Sequence, residues 1–124
     1  MVIGSPKLQS NSCGLIMALT RQAEAYCVET LKRTSPPTEK IAGFTTRTGR
    51  QLALERVRNE IYCWTELSSL EAAPCTPRRR YTASETRNSN LNRKNAPRLM
   101  LGQEVLYWTF SDIEHFKRFV DWYI

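Results

Sequence analysis

Apolar residues recur at helical spacing in three stretches of the chain and alternate in two short ones. In the first stretch Ile16, Leu19, Ala23, Tyr26, Cys27 and Thr30 return at intervals near three and four, which sets them on one face of a helix over roughly 12–34. Ser35-Pro36-Pro37 stops it, because proline lacks an N–H and disfavours helix in the residue before it. Residues 41–46 suit a brief strand. Thr48 and Gln51 stand three apart, as in a capping box, and Leu54, Val57, Ile61 and Trp64 continue as a helical stripe. The spacing therefore predicts a second helix from about 48 to 72, ended by Pro74. On that wheel Glu55, Glu60 and Glu66 fall on the solvent face. Periodicity then disappears until Leu99. Glu104–Phe110 alternates as a strand, and Ser111-Asp112-Ile113-Glu114 opens a third helix that runs to the end.

These elements predict a mainly α fold in one domain over 1–124. It is a small bundle of two long helices plus a C-terminal amphipathic helix, with one or two short strands and a long basic loop. The alternative is α+β, reached if 41–46 and 104–110 pair as a small sheet.

Charge sharpens the picture of the gap. The chain has 124 residues and a formal net charge of +6. Between Pro74 and Arg98 lie seven basic side chains and only Glu85 against them, so this segment alone carries +6. The other residues hold 11 basic and 11 acidic groups. A polar, proline-bearing run with one large aliphatic residue, Leu91, reads as a flexible loop. Such a loop can neutralise regularly spaced phosphates and release their counterions. The expected function is therefore non-enzymatic nucleic-acid binding, RNA or DNA, with Arg78, Arg79, Arg80, Arg87, Arg93, Lys94 and Arg98 on phosphates and Tyr81 stacked on a base. Asn88, Asn90, Asn92 and Asn95 could bond bases or sugars. Arg47 and Arg50, at the expected start of the second helix, add an anion site. A capped helix start accounts for the same residues.

Two other readings compete. Arg78–Arg80 with Arg93-Lys94 is spaced like a bipartite nuclear localisation signal, which would make the loop an address or tether. Seven of the twelve aromatic residues lie in the last 18 positions. The apolar arc of the third helix is wider than the roughly 100° a surface helix needs. Trp122 and Phe119 are then candidate anchors for a protein partner or a dimer mate, as in an accessory or regulatory protein of the viral or mobile-element type.

Catalytic chemistry finds little support. His115 is the single histidine, and no nucleophile, base and orienting group are tied together by spacing. Cys63, Cys75 and His115 are too far apart for a zinc signature, and no cofactor motif is present. Without an apolar leader or a spanning segment, an intracellular protein of the nucleus or cytoplasm is expected, with reduced thiols and no membrane partner.

Overall fold

The computed structural model describes the backbone over residues 4–124 and the side chains from residue 17 onward. Ile16, expected on the first helix face, has its side chain outside the described residues. The elements are α1 (Gly4–Thr30), β1 (Lys32–Arg33), β2 (Ile41–Thr45), β3 (Gln51–Glu55), β4 (Ile61–Glu66), β5 (Arg79–Tyr81), β6 (Val105–Phe110) and α2 (Ile113–Tyr123). The six strands make one antiparallel sheet in the order β1-β2-β3-β4-β6-β5.

The mainly helical bundle is thus incorrect. The expected second helix is two strands. Thr48 and Gln51 do not cap a helix. They belong to the β2–β3 hairpin, where the Thr46 hydroxyl accepts from Arg50 N–H and Gly49 takes the left-handed conformation (φ 90°). Residues 41–46 and 104–110 do not pair either, since β3 and β4 stand between β2 and β6. The misreading has a physical cause. All five residues of β3, and four of the six in β4, are buried. A strand covered on both faces loses its period-two signal, and Leu54, Ile61 and Trp64 then match a helical stripe by accident.

One face of the sheet carries both helices. Phe44, Leu52, Leu54, Ile61, Cys63, Leu106, Trp108 and Phe110 point there and meet Ala23 and Cys27 of α1 and Phe116, Phe119, Val120 and Tyr123 of α2. The Asp112 carboxylate accepts from Glu114 N–H (2.8 Å) and caps α2. Thr20 ties α1 to the β3–β4 turn through the Arg58 carbonyl (2.8 Å).

The opposite face is covered by the polar segment itself. Leu91, Ala96 and Leu99 are buried against Ile41, Ala53, Trp64 and Val105. The asparagines hold the cover's own backbone: Asn88 accepts from Asn90 N–H, Asn92 from Lys94 and Asn95 N–H, and Asn95 from Asn92 N–H, each at 2.9 Å. The Arg87 guanidinium gathers the carbonyls of Thr82 (2.7 Å), Glu85 (2.9 Å) and Gln103 (2.5 Å). The stretch expected as an open loop is therefore a folded lid on the sheet. Among the described residues, no helix is long and apolar enough to cross a membrane.

Candidate nucleic-acid interface

Successive side chains on a strand point to opposite faces. On the lid face, β4 therefore presents Tyr62 and Trp64, β6 presents Val105, Tyr107 and Thr109, and β5 presents Arg79 and Tyr81. Register places Tyr107 between Trp64 and Arg79. The lid covers Trp64 and leaves Tyr62, Tyr81 and Tyr107 half-buried.

The rings form a continuous patch. Tyr107 lies 4.2 Å from Trp64 between centroids and stacks on Tyr62 at 5.8 Å, with planes 28° apart. Tyr81 closes the far side at 5.0 Å from Trp64. Guanidinium groups border it. Arg58 lies 3.8 Å above the Tyr62 ring and Arg78 6.0 Å from it, while Arg79 lies 4.1 Å from the Tyr81 ring. Aromatic rings with arginines over their faces supply both a stacking surface and positive charge.

Beneath the patch sits a buried carboxylate. Glu55 is 7% exposed. Its Oε2 accepts from Trp64 Nε1 (2.9 Å), the Tyr107 hydroxyl (3.0 Å) and Asn88 Nδ2 (3.2 Å). Arg58 Nε stands 3.6 Å from Oε1. Burial and the Glu55 charge push the Tyr107 phenol well above its ordinary value, so it remains a donor. Glu55 was expected on a solvent face. A helical wheel misplaces it because β3 turns it into the lid.

The expected phosphate-binding residues are spread across the fold. Arg78, Arg79 and Arg80 are exposed on and just before β5, and Arg93 and Lys94 are exposed on the lid. Arg79 pairs with Glu85 (2.9 Å), Arg80 with Glu104 (2.9 Å) and Arg98 with Glu66 (2.7 Å). Water screens the Arg79 and Arg80 pairs, which hold little energy at the surface, so a phosphate can compete for those two arginines. Arg87 is different, because its guanidinium is consumed inside the lid. Arg47 is exposed at the β2–β3 hairpin, whereas Arg50 lies over the Tyr123 ring at 4.0 Å and donates to the Tyr123 carbonyl. Tyr81 joins the patch, but Arg58, Tyr62 and Tyr107 were not anticipated. The sequence signal for Tyr62 was its alternation with Trp64, visible only once 61–66 is read as a strand.

The expected partner anchors lie elsewhere. Phe119 is fully buried, 4.5 Å from Trp108 and 5.0 Å from Phe110 between centroids, and has no surface to offer. Trp122 is half-buried beside Trp108 at 6.0 Å. Cys27 and Cys63 are in the helix-side core, and burial raises both thiols. Among the described residues no three His, Cys, Asp or Glu side chains converge as metal ligands. The chain matches no protein-family model, and no curated protein or solved structure matches it.

Proposed function

We propose that the protein binds single-stranded nucleic acid on the open edge of the lid face, without catalysing a reaction on it. The observation that carries this is Tyr62, a half-buried ring on a sheet surface with Arg58 at 3.8 Å and Arg78 at 6.0 Å. Unpaired bases stack on such rings or on arginine planes, and each stacked base is worth about 1–3 kcal/mol. Arg78–Arg80 continue from the patch along the sheet edge, and Arg93 and Lys94 supply further charge on the lid. An α-helix or ribbon reading duplex grooves has no counterpart on this face, so the reading favours single strands, in the nucleus or cytoplasm.

The test is fluorescence anisotropy of a labelled single-stranded RNA against salt. Six phosphate contacts from Arg58, Arg78, Arg79, Arg80, Arg93 and Lys94 give a log–log slope of about −4. Alanine at all three of Arg78–Arg80 reduces it to about −2. Tyr62→Ala weakens binding by about 5- to 150-fold, the equivalent of one stacked base, and leaves the slope unchanged. Absence of binding below about 100 μM at physiological salt contradicts the reading.

A further inference from the structure

Glu55 has two oxygens in different circumstances. Oε2 is surrounded by three donors, Trp64 Nε1, Tyr107 Oη and Asn88 Nδ2. Oε1 has one neighbour, Arg58 Nε, at 3.6 Å, which is too long for a good hydrogen bond. The side chain is only 9% exposed, and Oε1 keeps acceptor capacity that no hydrogen bond within the fold uses. Glu55 also lines a cleft of about 180 Å³, together with Lys40, Val57, Arg58, Asn88 and Asn90. That is well above the roughly 10–15 Å³ that one water needs, so the cleft admits more than a single water. Arg58 belongs both to the cleft and to the Tyr62 platform, so a base leaving the stack at Tyr62 has this cleft as its neighbour.

We propose that the cleft reads the Watson–Crick edge of a single unstacked guanine, an assignment that rests on the single-strand reading above. The donor pattern decides among the bases. Guanine offers two adjacent donors, N1–H and N2–H, with the O6 acceptor next to them. Glu55 Oε1 takes the donors, and the cations of Lys40 and Arg58 face O6. Uracil brings one N–H between two carbonyls, which a carboxylate repels. Adenine and cytosine each bring an amino donor beside a ring acceptor, so only part of their edge matches. Asn88 fixes the carboxylate from the lid side, and the Trp64 and Tyr107 donors fix it from the sheet, so the acceptor is oriented before the base arrives. Base edges read in this way are discriminated by factors of about 5 to 150.

The test compares a uridine oligomer with the same oligomer carrying one central guanosine, adenosine or cytidine. The guanosine oligomer is expected to bind about 5- to 150-fold more tightly than the all-uridine one, with the other two between. Glu55→Gln, which keeps the shape and replaces one acceptor with a donor, brings that ratio close to one. Equal affinities in the unaltered protein overturn the inference while the single-strand reading stands, and so does a ratio that survives Glu55→Gln. If no oligomer binds, the single-strand reading fails. The cleft is then decided by the Trp64 indole N–H resonance, whose proton is bonded to Glu55. A shift with guanosine monophosphate and none with uridine monophosphate upholds the guanine site. No shift, or equal shifts, overturns it. The monophosphate titration uses the unaltered protein and so holds even if Glu55→Gln does not fold.

Discussion

The carbonyl oxygen of Asn95 lies 2.0 Å from the point a β-carbon on Gly43 would occupy. The lid backbone therefore rests directly on β2, and glycine is required there by contact, not by its dihedral angles. Gly43→Ala forces the two backbones apart. Overpacking of this kind costs about 1–3 kcal/mol. Urea unfolding should show the loss as a lower midpoint, and amide exchange should speed up in 82–104 before it does in β3 and β4. An unchanged midpoint would mean that the lid is not seated on the sheet.

Arg87 organises the same lid from within. Its guanidinium donates to the carbonyls of Thr82, Glu85, Leu99 and Gln103, which no other side chain serves among the described residues. Hydrogen bonds from a charged group contribute about 1.5–3 kcal/mol, so Arg87→Ala should destabilise the protein by roughly 2 kcal/mol. Lys should not restore it, since an ammonium cannot span the fork. The amide of Gly102, bonded to the Ala83 carbonyl at 2.9 Å, is the local reporter. Its exchange should accelerate in both variants.

Alkaline pH should act at the junction of the helices. The Tyr26 hydroxyl donates to Asp121 Oδ1 at 2.6 Å, linking α1 to α2. That bond, with burial and the Asp121 charge, pushes the phenol from 10.0 up to about 12. A raised folded value means the contribution is complete below pH 10 and is lost as pH rises through about 12. An NMR titration of the Tyr26 ring should place it near the upper figure, and Asp121→Asn should return it towards 10.0. Titration near 10.0 in the unaltered protein would show that the bond is absent in solution.

How much of this was visible in the sequence differs from one element to the next. α2 and β6 were legible. Glu114, Arg118 and Asp121 mark a solvent face on α2 and leave a clear apolar arc, and Asp112 caps it. β3 and β4 were not, because helices cover one face and the lid the other, which erases alternation. The concentration of charge in 74–98 was plain from composition. Its folding was not, because the cover is held by three apolar residues, by asparagine side chains bonded to nearby backbone and by Arg87, none of which leaves a periodic trace. Tyr62 and Tyr107 are 45 positions apart, and only strand pairing makes them neighbours. Glu55 looked like an ordinary surface acid for the same reason.

The account stands most directly on which face of the sheet meets a single strand, and the three tryptophans divide that question cleanly. Trp64 lies under the aromatic patch with its indole N–H on Glu55, whereas Trp108 lies on the helix face with its N–H on Thr65 Oγ1 (2.8 Å) and Trp122 lies beside it. The decisive measurement is a nitrogen–proton spectrum of the three indoles during titration with a short single-stranded RNA. The account predicts that the Trp64 resonance moves with saturation while Trp108 and Trp122 stay in place. Movement of Trp122 with Trp64 unmoved, or no movement at all, would contradict it.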